Sequence, residues 1–235
     1  MESDQKTKIV LIGGVSSFWF QYRNLAAIIR KISNCDVRIA QLTPFSWIGQ
    51  PNQKIQSIVR KIDYAISNGG GADRLILIGH SLGGLMACLY QSTDFEGHLR
   101  FRFQNAFQVQ AISLGTPFWC IEHIPIVSGW IALVSTYDLK STPGSGNTLM
   151  TVAGASTRGD RKGKVPERIS FQSYSALAGD GEAIGDGLVP TNCATLPFAH
   201  PNELVDVTHG ISTGGDWYGK NEATVRRWWQ GPCIE

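Results

Sequence analysis

Ser81 stands in Gly79-His80-Ser81-Leu82-Gly83, between the apolar run Leu75–Ile78 and a helix-like run from Leu85 to Leu89. This G-x-S-x-G joins a predicted strand to a predicted helix, the context in which the pattern has a mechanism. A sharp strand-to-helix turn holds the serine at positive φ, which costs a residue with a Cβ. Neighbours two positions away on either side must then lack side chains, as Gly79 and Gly83 do. Gly84 lets the helix pack closely on the strands. The hydroxyl projects beside a helix N-terminus, where developing negative charge is favoured. Such a serine suits nucleophilic attack on a carbonyl.

A serine attacks only with a base, and the base needs an acid to orient it. After a strand–elbow–helix serine the partners follow in the order acid, then histidine. The chain has five histidines. His80 lies beside the serine in the elbow, and His98 and His123 come too early. His200 precedes the last strand candidate and is followed by Pro201, which points to a loop at the opposite edge. His209 follows that strand and is the expected base. Asp186, in the glycine-flanked Gly185-Asp186-Gly187-Leu188-Val189-Pro190, is the expected acid. Asp180 and Glu182 lack so rigid a frame, and Asp206 falls inside a strand. Two backbone N–H groups should stabilise the oxyanion. They are expected from Leu82 and from Val15, with Gly14 as the alternative to Val15.

These residues need a scaffold, and the chain alternates strand and helix patterns. The predicted strands are Lys8–Ile12, Asp36–Leu42, Arg74–Ile78, Val109–Leu114, Leu149–Ala153 and Glu203–Val207. Their continuous apolar character suits strands covered on both faces. Leu25, Ile28, Ile29 and Ile32 recur at helical spacing, as do Ile55, Ile58, Val59 and Ile62. A last helix is expected from about Asn221 to Trp229. The fold class is therefore α/β, a mainly parallel sheet with helices on both faces and right-handed crossovers.

The 235 residues fit a single domain, 1–235, and a chain of this size buries a sizeable core. With 43% hydrophobic and 17% charged residues the composition is globular. A net charge of +2 gives no electrostatic case for nucleic acid or a membrane surface. The five cysteines form no C-x-x-C pair, which argues against a zinc site or disulfide framework and for a reducing compartment. Gly13-Gly14 interrupts the first apolar run, so it reads as a strand and not a signal peptide. The stretch Ile124–Val134 is too short to span a bilayer. A cytoplasmic location is the expectation, with the oligomeric state open.

Two stretches break the alternation. Residues 116–147 form a cap or pocket insertion, with Phe118, Trp119, Ile121 and Trp130 as substrate-pocket residues. Alternatively, Pro125 starts a core helix with the stripe Val127, Trp130, Ile131 and Val134. Residues 156–187 are Gly-rich and read as irregular, and the basic run Arg158–Arg168 reads as a solvated loop.

Four motifs, GHSLGG (79–84), SLGTP (113–117), GDGLVP (185–190) and THG (208–210), occur in this order. Together they resemble the lipase/esterase group of the α/β-hydrolase superfamily, over about residues 8–229. The segment LIGGVSSFWFQYRNLA (11–26) is similar to the first-strand loop of lipase-like hydrolases of photosynthetic organisms. Many lipases carry His-Gly where this chain has Gly13-Gly14. The resemblance implies about six strands, the first two of the full fold being absent. It also implies a serine hydrolase acting on a small-molecule ester or lipid, through Ser81, Asp186 and His209. No metal or other cofactor is implied. An acyltransferase or thioesterase would use the same residues, and a non-catalytic ligand-binding protein could share the fold.

Overall fold

A computed structural model of the chain describes residues 6–68, 72–90, 92, 108–122, 124–139, 148–210, 215–229 and 231. His98, His123, Cys233 and positions 140–147 of the expected cap lie outside the described residues. The strands are β1 (Thr7–Ile12), β2 (Asp36–Ile39), β3 (Arg74–His80), β4 (Gln108–Leu114), β5 (Thr148–Gly154), β6 (Thr157–Arg158), β7 (Ile184–Gly185), β8 (His200–Leu204), β9 (Val207–Thr208) and β10 (Asp216–Trp217). Six of them form one parallel sheet in the order β2-β1-β3-β4-β5-β8. The two-residue strands pair separately, β6 with β7 and β9 with β10.

The apolar runs explain this arrangement. Side chains alternate across a strand, so a continuous apolar run supplies two buried faces. Val10, Ile12, Leu75, Leu77 and Ala111 belong to one core, and Ile9, Leu11, Ile76, Ile78 and Ile112 belong to the other. The first core is covered by α2 (Pro44–Trp47), α3 (Pro51–Ser67), α4 (Leu82–Leu89) and α5 (Val127–Val134). The second is covered by α1 (Arg23–Ser33), through its predicted apolar stripe, and by α7 (Glu222–Trp228), through Val225 and Trp228. The chain steps one way from β1 to β2 and the other way from β2 through β3. Right-handed crossovers then require α1 and α3 to lie on opposite faces. This reversal also makes the carboxyl ends of β1 and β3 a switch point, where a crevice opens.

Three expectations differ from the structure, the first being the strand Asp36–Leu42, which ends at Ile39. The last main strand is His200–Leu204, not Glu203–Val207, and it includes Pro201 opposite Thr151. β8 is an edge strand, where a residue without an N–H leaves no ladder bond broken. Residues 156–187 are not irregular, because α6 (Val165–Ala178) occupies their centre. Pro166 pre-sets its first turn, and the Lys164 N–H donates to Glu167 Oε2 at 2.5 Å. Ser170, Tyr174 and Leu177 form its buried stripe at i, i+4 and i+7. The polar flanks hide that short stripe in the sequence.

Candidate active site

Ser81 sits between β3 and α4 with φ 55° and ψ −131°. Its N–H donates to the Leu114 carbonyl at 2.9 Å, and its own carbonyl accepts from Gly84 N–H at 2.9 Å. These bonds hold the strained turn. A Cβ at Gly79 would lie 2.2 Å from the Gly83 carbonyl oxygen, and one at Gly83 would lie 2.2 Å from that of Ile12. Side chains at either place would push the turn apart. The Ser81 residue is half-buried, and among the described residues nothing hydrogen-bonds its hydroxyl.

Asp186 and His209 meet at the same edge of the sheet. His209 Nδ1 is 2.7 Å from Asp186 Oδ2, and both side chains are buried. The carboxylate is fully engaged. Oδ1 accepts from Leu188 N–H at 3.1 Å and Val189 N–H at 2.8 Å, while Oδ2 also accepts from Tyr218 Oη at 2.9 Å. Gly115, in the SLGTP motif, ends β4 against this group. A Cβ there would lie 2.5 Å from Asp186 Oδ2 and 3.1 Å from His209 Nδ1. The glycine therefore makes room for the pair beside Leu114, which holds the Ser81 backbone.

Three of the four polar groups of His209 are occupied. Its N–H donates to the Asp186 carbonyl at 2.7 Å, and its carbonyl accepts from His80 Nε2–H at 3.1 Å. Nδ1–H donates to Asp186, which leaves Nε2 as an unprotonated acceptor in the neutral ring. Such a ring can take a proton.

The competing residues lie elsewhere. His200 is exposed at the start of β8, opposite Met150. Asp206 is exposed and pairs with Arg227 Nη1 at 2.6 Å and 2.9 Å. Glu182 faces Arg158 at 3.9 Å, and Asp180 Oδ1 accepts from Glu182 N–H.

The Gly13–Ser17 loop follows β1 and abuts the serine. A Cβ on Gly14 would be 2.6 Å from Ser81 Cβ. The Gly14 N–H already donates to Tyr22 Oη at 3.3 Å, whereas no acceptor among the described residues meets the Val15 N–H. Leu82 is the first residue of α4, a position whose N–H has no partner within the helix.

The expected pocket residues separate. Phe118 is buried and lines an apolar pocket of about 240 Å³ with Leu85, Ile131, Val134, Leu139 and Leu196. Trp119 is 37% exposed and Ile121 67% exposed. Trp130 is fully buried in edge-to-face contact with Trp47 (5.1 Å), and its indole N–H donates to the Trp47 carbonyl. The stripe of α5 carries it into the core, so it does not reach the open side of the pocket.

Sequence reading missed three side chains around the pair. Tyr218 donates to Asp186 and accepts from Gly154 N–H at 2.8 Å. Burial and the Asp186 charge hold its phenol well above the usual range, so it stays a donor. Tyr22 Oη lies 2.9 Å from His80 Nδ1, and burial pushes this phenol up to about 12. The third is His80 itself. Helix α6 also contributes from below: Ser170 Oγ donates to the Gly187 carbonyl and Tyr174 Oη accepts from Gly187 N–H. None of these contacts has a local sequence signal.

His80 yields a stability prediction. Burial lowers its imidazole from 6.5 to about 3, with the nearby His209 adding to the effect and Asp186 opposing it. Between these values the unfolded chain binds a proton that the folded protein refuses. Stability therefore falls as pH drops from about 6.5 towards 3. At about 1.4 kcal/mol per unit, this group alone removes several kcal/mol across the window. Urea midpoints of the wild type should fall more steeply between pH 6.5 and 4.5 than those of His80→Gln. Parallel slopes would refute the assignment.

No protein-family model matches the chain, and no curated protein matches it. Solved structures do. A metagenomic carboxyl esterase aligns with 86% of this chain and 63% of its own at 12% identity, with a TM-score of 0.50. Carboxyl esterase 2 of the mycorrhizal fungus Tuber melanosporum aligns with 96% of this chain and 78% of its own at 14% identity, with a TM-score of 0.44. An N-formylmaleamic acid deformylase of Pseudomonas putida aligns with 48% of this chain at 13% identity and a TM-score of 0.29, and the chain spans 40% of its length. The six-stranded parallel sheet with helices on both faces, and its likeness to the metagenomic esterase, give the chain the α/β-hydrolase fold.

Proposed function

We propose that the protein is a serine hydrolase of carboxylic esters. The observation that carries this reading is a strained, half-buried serine at the end of β3, with a buried Asp186–His209 pair packed against Gly115 at the end of the neighbouring β4. Ser81 Oγ attacks the ester carbonyl while His209 Nε2 takes its proton. Asp186 keeps the ring in the required tautomer and offsets the imidazolium charge. The N–H groups of Leu82 and Val15 receive the oxyanion. His209 then protonates the departing alcohol, and the acyl group remains on Ser81. Water, deprotonated by His209, releases the acid and restores the serine. The chemistry uses no metal or other cofactor.

The acyl side of the site is proposed to lie in the apolar segment from Phe118 to Val134. The apolar pocket at Phe118 is small beside the 300–1,000 Å³ of drug-sized sites, which favours uncharged esters with short to medium acyl chains. Across a series of p-nitrophenyl esters, kcat/KM should fall at least about tenfold from medium to long chains. Phe118→Ala should shift the optimum towards longer chains. An unchanged profile in the variant would remove Phe118 from the acyl site. The panel should include thioesters, with and without an added alcohol acceptor. Product that appears only with acceptor would indicate an acyltransferase, and ligand-induced stabilisation without turnover would indicate a binding protein.

A further inference from the structure

His80 touches both halves of the site yet has no part in the chemistry proposed above. Its ring is buried, 4.8 Å from the His209 ring and within 6 Å of Tyr22, Trp217 and Tyr218. One nitrogen faces the His209 carbonyl at 3.1 Å, and the other faces Tyr22 Oη at 2.9 Å. A carbonyl can only accept, so Nε2 carries the proton and Nδ1 must accept one from Tyr22. The tyrosine oxygen then accepts from Gly14 N–H at 3.3 Å, and Ser17 Oγ sits 2.8 Å from it and 3.0 Å from the Gly14 carbonyl. Ser17 and Tyr22 are both buried. The chain of contacts thus runs without a gap from the loop after β1 to the main chain of His209.

We infer that Tyr22 and His80 are positioning residues, which use one fixed tautomer of His80 to hold the His209 main chain and the Gly14–Ser17 loop as a single unit. The inference rests on the hydrolase reading, because it gives that loop the oxyanion donor and His209 the base. Its physical sense is twofold. Backbone donors and base must keep their places to within a fraction of an ångström, since a misplacement of about 1 Å costs roughly 10²-fold in rate. The burial that keeps His80 neutral also means that no second cation opposes His209 when it takes the serine proton.

The test combines steady-state kinetics with imidazole ¹⁵N NMR on the full chain. In the wild type, His80 should show a protonated Nε2 and an unprotonated Nδ1 from pH 5 to 9, with assignment by its loss in His80→Gln. Tyr22→Phe removes only the hydroxyl that donates to Nδ1. It should give a mixture of His80 tautomers and lower kcat about 10- to 100-fold, with KM within about threefold. His80→Gln keeps an N–H near the position of Nε2 and should retain far more kcat than His80→Leu, which fills the space without donating. A mere packing role predicts the reverse order. Wild-type kcat in Tyr22→Phe, a proton on Nδ1, or His80→Leu as active as His80→Gln each overturns the inference. Wild-type protein that neither hydrolyses esters nor reacts with a fluorophosphonate refutes the hydrolase reading instead, and the NMR spectrum still decides the tautomer.

Discussion

Ser81→Ala is expected to lower kcat on esters by about 10⁶ while leaving the fold intact. The proposed mechanism forms its covalent bond at this oxygen, and no other described hydroxyl stands at a strained elbow beside the Asp186–His209 pair. The fold should survive because alanine keeps the backbone and the Cβ. The lost hydroxyl has no hydrogen-bond partner among the described residues, so no buried group is left unsatisfied by its removal. A fluorophosphonate should add once to the wild type, on Ser81, and not at all to the variant. Thermal unfolding should differ between the two by no more than a few degrees. Labelling at another serine, or a variant with substantial turnover, would end the assignment.

The second large effect separates the two late histidines. His209→Ala should lose nearly all activity, approaching the Ser81→Ala level, because serine and base act as a unit. His200→Ala should retain most of it. β8 runs parallel to β5 from His200 to Leu204, so its first residue lies roughly 13 Å below its carboxyl end. His209 follows that end, and its contacts with Asp186 and His80 keep it there. Asp186→Asn should be less damaging than loss of the serine, costing about 10⁴ in kcat through the wrong histidine tautomer. Circular dichroism of each variant checks that activity and not folding is being read. A folded, inactive His200→Ala beside an active His209→Ala would reverse the direction of the last strand and dissolve the proposed site.

The local features of this protein were legible because local physics writes them into neighbouring residues. An apolar run such as Leu75–Ile78 suits a strand covered on both faces. Glycines on either side of Ser81 imply a turn without room for side chains, and the structure has Ser81 at φ 55° in it. Chain order, the glycine frame around Asp186 and the place of His209 after the last strand set these two apart from their rivals, and they stand 2.7 Å apart. Helix α6 was not legible, since its stripe of Ser170, Tyr174 and Leu177 is short, partly polar and set among charges. The extension of the last strand back through Pro201 depends on β8 lying at an edge, which only the sheet order decides. The same is true of the side chains that surround the pair. Tyr22 reaches His80 across 58 positions, His80 reaches His209 across 129, and Tyr218 reaches Asp186 across 32. A hydrogen bond between distant residues leaves no periodicity or spacing in the chain. It exists only once parallel strands have brought their carboxyl ends together, where burial favours polar side chains that find a partner.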